Sequence, residues 1–184
     1  DAAKEKNRFG LTPLHKVLYK GPSASFEIVS ALLKACPEAA KEKNGANYIP
    51  LHIACNRRAP FEVVSALLKA WPGAVKEKDK CHSTPLHWAC NKASPLEVVT
   101  ALLEVCPDAV KEKDRLGLYT PLHLACERGA PFEVVAALLK VWPDAVKEKD
   151  KCHSTPLHWA CNKGASFEIV AALLKAWPDA AKQK

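Results

Sequence analysis

A four-residue string, Thr-Pro-Leu-His, recurs along this chain and constrains what it can fold into. It occupies residues 12–15, 84–87, 120–123 and 155–158, and a variant with Ile49 in place of Thr fills the gap at 49–52. The five histidines are 37, 35, 36 and 35 residues apart. Self-similarity at a period of about 20–50 residues is typical of stacked repeats, in which each unit contacts only its neighbours.

Each copy has the pattern of two helices and a turn. In the third copy, Thr84 precedes Pro85 as an N-cap precedes a proline at the first helical position. Pro95 begins a second helix with Glu97 in its first turn, where the helix dipole favours a carboxylate. That second helix is apolar on more than one face, so the adjacent repeats must bury it on both sides. Pro107 ends it, and residues 111–114 are expected to form a solvated turn.

The longer pattern D-x-x-G-x-T-P-L-H-x-A matches residues 114–125 with one inserted residue, and residues 7–15 match its first part with Asn7 for Asp. This pattern resembles the ankyrin repeat, and the resemblance covers all five units. It implies an all-α ankyrin-repeat solenoid of helix–turn–helix units with turn or hairpin tips, forming a single array over residues 1–184. The repeats are expected at approximately 7–43, 44–78, 79–113, 114–149 and 150–184, with 1–6 as the tail of a preceding unit. Most repeats have 35 residues rather than the family's usual number of about 33, and the extra residues fall at turns.

The two ends of the chain share the same phase of the repeat, and the sequence contains no Met. We therefore expect a slice of a longer array, or an engineered one, rather than a whole translated protein. Arrays normally carry polar capping repeats, but the last unit keeps an ordinary apolar second helix with Phe167, Ile169 and Leu173. This pattern predicts a sticky C-terminal face and possible end-to-end self-association.

The eight cysteines recur at repeat positions, and none forms a C-x-x-C pair. This spacing favours free thiols in a reducing compartment, cytoplasmic or nuclear, over a disulfide framework. We expect four of them to be small buried core residues, namely Cys55, Cys90, Cys126 and Cys161. Cys81-His82 and Cys152-His153 lie at turn tips two repeats apart, and two ligands are too few for a metal site.

The five recurrent histidines have a structural role in the ankyrin family, where the ring bonds the Thr hydroxyl and nearby backbone. Stacked repeats lie about 8–10 Å apart, which is too far for two rings to share one zinc ion at about 2 Å each. No nucleophile–base pair, phosphate loop or carboxylate dyad stands out. The chain is therefore expected to be no enzyme and to need no cofactor or metal.

The resemblance also implies a binding surface, because ankyrin proteins form a concave groove from turn tips and first helices. Tyr and Arg are frequent interface anchors, although packing explains Trp88 and Trp159 equally well and simple solvated variability is the alternative for the rest. The candidate groove residues are Arg8, Phe9, Tyr48, Asn56, Arg57, Arg58, Trp88, Asn91, Lys92, Leu116, Tyr119, Glu127, Arg128, Trp159, Asn162 and Lys163.

The leading function is a non-catalytic protein-binding scaffold whose partner is another protein. A net charge of +7 and the groove's Arg and Lys residues keep nucleic acid or another polyanion open as an alternative. A designed or excised array with no natural partner is a third possibility, because residues 79–92 and 150–163 are identical. No stretch of 18 apolar residues exists, so no membrane span is expected.

Overall fold

Helix pairs stack along the chain in the computed structural model, which describes residues 2–179. The described part contains ten α-helices and no β-strand. The first helix of each pair is α1 (Pro13–Leu18), α3 (Pro50–Asn56), α5 (Pro85–Asn91), α7 (Pro121–Glu127) or α9 (Pro156–Asn162). The second is α2 (Phe26–Ala35), α4 (Phe61–Ala70), α6 (Leu96–Val105), α8 (Phe132–Val141) or α10 (Phe167–Ala176). Odd-numbered helices pack on one another in one layer and even-numbered helices in a second.

The odd-numbered helices have only six or seven residues, too few to persist in isolation. Each begins at the proline of the recurrent string, with the preceding residue as N-cap. In four of them the Thr hydroxyl lies 2.7–2.8 Å from the Nδ1 atom of the histidine three residues later. The backbone N–H of the N-cap residue also donates to that Nδ1 at 3.2–3.3 Å, including from Ile49. The bond to the Thr hydroxyl, expected from the family resemblance, is present in the structure.

The same histidines also join each repeat to the next one. His15 Nε2 donates to the Tyr48 carbonyl at 3.2 Å, and His52 Nε2 donates to the Ser83 carbonyl at 3.1 Å. His87 and His123 make the equivalent bonds to the carbonyls of Tyr119 and Ser154. Because a carbonyl only accepts and a backbone N–H only donates, Nε2 carries the proton and Nδ1 the lone pair, so each ring is neutral. We call these four inter-repeat bonds the histidine ladder.

The even-numbered helices all end in the same way. Their C-cap residue is Cys or Trp, as at Cys36 and Trp71, with an extended backbone. A proline follows and begins a short 3-10 helix, because it cannot continue the α-helix. These 3-10 helices are Pro37–Lys41, Pro72–Lys76, Pro107–Lys111 and Pro143–Lys147. The Ala and Val residues within them are buried and close the edge of the core between the two helix layers.

The segments after these 3-10 helices, expected to be solvated turns, instead connect neighbouring repeats. Lys6 pairs with Glu42 at 2.7 Å, and Lys43 with Glu77 at 2.8 Å. The next two steps repeat this ion pair, between Lys78 and Glu112 and between Lys113 and Glu148. Asp114, which the sequence placed in the same solvated turn, is only 3% exposed. The prediction of a solvated turn is therefore wrong for Asp114, because its carboxylate points inward and holds the tip that follows.

Acidification is expected to destabilise the fold through the histidine ladder. Burial lowers the pKa of His52 to about 4, and it also lowers the pKa of His15, His87 and His123. Histidines in the unfolded chain titrate near 6.5. Between pH 6.5 and the folded pKa the unfolded state binds more protons, so the free energy of unfolding falls as the pH falls. His52 alone should contribute a loss of about 3 kcal/mol from pH 6.5 to 4.

Guanidinium denaturation at pH 7.5, 6.0 and 5.0, followed by circular dichroism, checks this expectation. The His52→Asn variant is the control, because its amide can still donate a hydrogen bond but does not titrate. It should be less stable at pH 7.5 and lose less stability on acidification. Equal stability of the parent chain at pH 7.5 and 5.0 would contradict the assignment of neutral, buried rings.

Candidate functional site

Turn tips and odd-numbered helices together form one side of the stack, which we call the front face. The tips are residues 7–11, 44–48, 79–83, 114–119 and 150–154, and the opposite side, formed by the even-numbered helices, is the rear face. An Asn or Asp begins every tip and caps it internally. Asp79 Oδ1, for example, accepts from the backbone N–H groups of Cys81 at 2.7 Å and Ser83 at 3.0 Å. Adjacent tips also bond directly, as where the Arg115 N–H donates to the Cys81 carbonyl at 2.8 Å. The tips are therefore fixed turns rather than loose loops.

Two aromatic pairs occupy the middle of the front face. Trp88 Nε1 donates to Asp79 Oδ2 at 2.9 Å. The Trp88 ring also packs edge-on against the ring of Tyr48 in the preceding repeat, with 5.7 Å between the ring centroids. Trp159 makes the equivalent contacts. Its indole N–H donates to Asp150 Oδ2 at 2.9 Å, and its ring centroid lies 5.8 Å from that of Tyr119. The two pairs are 71 residues apart in sequence, so the front face has a period of two repeats. These four rings are half-buried and are already in contact with each other.

A small cavity of about 130 Å³ lies on the front face between the third and fourth repeats. The tip residues Leu116 and Tyr119 line part of it. Trp88 and Asn91 of α5, together with Arg128 at the C-cap of α7, line another part. The tips and the odd-numbered helices thus border a common depression, which is the geometry expected of a groove. The Oδ1 atom of Asn91 is buried beside it and, within residues 2–179, has no hydrogen-bond partner.

The predicted groove residues divide into two classes by exposure. Those exposed to solvent are Arg8, Phe9, Arg57, Arg58, Lys92, Leu116, Arg128, Asn162 and Lys163, and those half-buried are Tyr48, Asn56, Trp88, Asn91, Tyr119, Glu127 and Trp159. All sixteen lie on the tips, on the odd-numbered helices or within two residues of the C-terminal ends of these helices. The exposed class is available to a partner without any rearrangement, whereas the aromatic members of the other class are engaged in the internal contacts described above.

The net charge of the chain resides in the front-face segments. Residues 7–24, 44–60, 79–95, 114–131 and 150–166 hold eleven Lys and Arg but only four Asp and Glu, a balance of +7, while the rest of the chain has sixteen of each sign. All eleven cations are exposed. Three of the four acids, Asp79, Asp114 and Asp150, are buried tip residues. Among the described residues, Arg128 alone of the eleven forms an ion pair, with Glu127 at 3.5 Å.

The structure adds two features to the predicted groove residues. Leu118 lies on the fourth tip, 46% exposed, with a left-handed φ of 58° that favours glycine over a side chain of this size. The rear face exposes a row of Phe side chains, and Phe61 and Phe132 are both 40% exposed. Open grooves of about 530 and 600 Å³ border these rings between α2 and α4 and between α6 and α8. The sequence does show that Phe begins four of the five second helices, but this recurrence indicates the repeat and not the exposure of the rings.

The rear grooves are the larger cavities, yet the front face is the better candidate site. Small residues such as Ser30, Ser65 and Ala136 line the rear grooves, so the open space follows from the repeat itself. Apart from Leu96 in place of Phe, the rear apolar row is nearly uniform along the stack. The front face instead has four different tip sequences among its five repeats, since 79–83 and 150–154 are identical, and ten of its eleven cations form no ion pair among the described residues. Variation and uncompensated charge both favour recognition of a particular partner.

The cysteines and the tip histidines complete the inventory of reactive side chains. Burial raises the pKa of Cys55 and Cys126 to about 12, so these thiols stay protonated and inert. Cys161 was expected to be buried with them but is exposed, because no described repeat covers that side of α9. His82 and His153 take a left-handed backbone at the tips, with φ of 59° and 61°. Within residues 2–179, no three His, Cys, Asp or Glu side chains converge as metal ligands would.

The comparison with known families agrees with this geometry. A family model described as ankyrin repeats (3 copies) matches residues 23–114, 51–149 and 86–183, so the matches together run from 23 to 183. The chain belongs to the ankyrin-repeat family. The resemblance and the all-α repeat solenoid that it implied are therefore confirmed. A search of curated protein sequences returns no significant match.

Membership in the ankyrin family sets the general function but not the details. Ankyrin repeats generally act as protein-binding scaffolds rather than as enzymes. In the described part of this ankyrin chain, no helix has the length and apolarity to cross a bilayer. Phe167 of the last repeat is 82% exposed, but self-association through that end stays a prediction.

The aromatic pairs are expected to matter for stability. Replacing Trp159 by Phe keeps a ring against Tyr119 but leaves Asp150 without its indole donor, which should cost about 1–2 kcal/mol of unfolding free energy. Burial alone would raise the pKa of Asp150, but hydrogen bonds from the Ser154 N–H, the Trp159 indole and the Cys152 N–H hold it below its usual value. The variant should therefore also raise that pKa. Trp88→Phe is the matched variant in the identical segment, and chemical denaturation measures both. Unchanged stability in both would assign these tryptophans to partner contact instead.

Proposed function

We propose that this ankyrin chain is a non-catalytic scaffold that binds another protein through its front face. The observation that carries the proposal is the concentration of exposed, unpaired and variable side chains on that face. Phe9 and Leu116 are 59% and 58% exposed on the tips, and Arg57, Lys92 and Lys163 are exposed at the ends of odd-numbered helices. Phe and Arg, here Phe9 and Arg57, are side-chain types enriched at protein interfaces.

The stack supports such a role because it is rigid before any partner arrives. The histidine ladder ties each odd-numbered helix to the next tip, and the bonds between tips hold the front face at fixed spacing. A partner that docks on a prearranged surface loses less binding free energy to the ordering of that surface. The recurrent histidines, which are the most chemically suggestive residues of the sequence, are already used inside the fold. A binding role therefore fits their geometry better than a catalytic one.

Paired alanine variants test the proposal directly. The front variant carries Phe9→Ala, Leu116→Ala and Arg128→Ala, and the rear control carries Phe26→Ala, Leu96→Ala and Phe132→Ala. All six residues are exposed, so neither variant should unfold. Each chain is used as bait in a cell lysate, and the captured proteins are quantified by mass spectrometry.

The expected result is a protein captured equally by the parent and the rear control but at least about tenfold less by the front variant, because anchor truncations commonly cost more than 1 kcal/mol each. Loss of capture with the rear control alone would move the binding site to the row of exposed phenylalanines. Equal capture by all three chains would remove the support for the front face.

A further inference from the structure

The charges of the front face specify the chemistry of its partner, an inference that rests on the proposed function. Two rows of cations run along this face. One row follows the first residue of the tips, at Arg8, Lys80, Arg115 and Lys151, where only the second repeat, with Gly45, has no cation. The other row lies at the C-cap of the odd-numbered helices, at Arg57, Lys92, Arg128 and Lys163. The C-cap row has no cation in the first repeat, where Tyr19 is the C-cap. Where successive repeats each supply a cation, the spacing along the stack is about 8–10 Å.

Of the eight cations in these two rows, only Arg128 forms an ion pair within residues 2–179, with Glu127 at 3.5 Å. Four inter-repeat ion pairs and three local pairs neutralise seven lysines of the edge that lies outside the front face. Apart from Glu127, the acidic residues of the front-face segments are the buried tip carboxylates, whose oxygens accept backbone and indole N–H groups. The front face therefore presents positive charge that the folded chain itself does not compensate.

We infer that the front face takes an acidic protein segment in extended conformation, with a carboxylate at about every third residue. An extended chain advances about 3.3 Å per residue, so three residues match one repeat step. Such a segment would lie between the two cation rows, over the aromatic pairs. The residues between its carboxylates would be apolar, because Leu116 and Leu118 are exposed on the tip that flanks this path.

Nucleic acid fits the same face less well. Single-stranded nucleic acids are held by aromatic rings on which the bases stack. Here the rings that line the path meet each other edge-on, Tyr48 against Trp88 and Tyr119 against Trp159, and all four are half-buried. They do not offer a series of open ring faces, whereas the exposed leucines suit apolar side chains of a protein.

Selection from a phage-displayed library of random twelve-residue peptides tests the inference and does not require the natural partner to be identified first. Three baits are used. They are the parent chain, a front charge reversal (Lys92→Glu, Arg128→Glu and Lys163→Glu) and a rear charge reversal (Lys34→Glu, Lys69→Glu and Lys140→Glu). Both reversals change the net charge by the same amount. Both also place acids at or near helix C-termini, so any cost to helix stability is matched.

The parent and the rear reversal should both enrich peptides with Asp or Glu about three residues apart, separated by apolar residues. The front reversal should instead enrich Lys and Arg. A synthetic peptide of the parent's consensus should bind the front reversal about tenfold more weakly than the parent, since each exposed charge pair contributes a fraction of a kcal/mol to binding. It should bind the rear reversal within about twofold.

The remaining outcomes separate the inference from the proposed function. Enriched peptides that are neutral or basic, yet fail to bind the front alanine variant, would overturn the acidic partner while leaving the front-face scaffold in place. Peptides that bind the front alanine variant as well as the parent, or no enrichment at all, would overturn both. Displacement of the selected peptides by an equal or lower concentration of a fifteen-nucleotide oligothymidylate would assign the face to nucleic acid instead.

Discussion

The hydrogen bond from Nε2 of each of the four ladder histidines to a carbonyl of the next repeat is the interaction on which the rest of the structure depends. Its other ring nitrogen is fixed by the N-cap of its own helix, so one neutral side chain positions both a helix start and the adjacent tip. Helices of six or seven residues are stable only in such a context. The same bond sets the distance between tips, and the tips carry the side chains that a partner would meet.

Polar groups on the front face fall into two sets, one bonded inside the fold and one exposed to solvent. Carboxylates and indoles are used internally, as with Asp79 and Trp88, whereas cations remain outside. A tip closed by a buried carboxylate retains little negative charge at its surface. Lys or Arg follows the carboxylate in all three tips that have one, and Arg8 follows Asn7 in the first tip. The basic character of the binding surface is thus a consequence of how the turns are built, and not only of the overall composition.

Much of this fold could be predicted from the sequence because the repeat signals are local. The N-cap threonine, the following proline and the apolar second helix lie within one repeat, so propensity and spacing were sufficient to find them. Contacts between repeats could not be found in this way. Tyr48 and Trp88 are 40 residues apart, and the sequence around neither residue indicates their edge-on contact. Cys161 was misassigned for a related reason, because its burial depends on what covers the last repeat rather than on its own position.

The candidate site was only partly predictable. The resemblance located the tips and first helices, but the sequence did not separate exposed residues such as Leu116 from engaged ones such as Tyr119. The charge asymmetry could have been found from the sequence alone, by counting charges per repeat segment instead of over the whole chain. The exposure of the rear-face phenylalanines could be seen only in the structure, because a Phe that recurs at the same position of successive helices ordinarily indicates core packing.

Hydroxyl-radical footprinting of the chain, free and bound to the protein it captures, tests the central claim most directly, since it reports the solvent exposure of individual side chains. The account predicts that binding slows oxidation of Phe9, Leu116 and Leu118 on the tips and leaves Phe26, Phe61 and Phe132 unchanged. Protection of the three rear phenylalanines, with the tip residues still reactive, would contradict it.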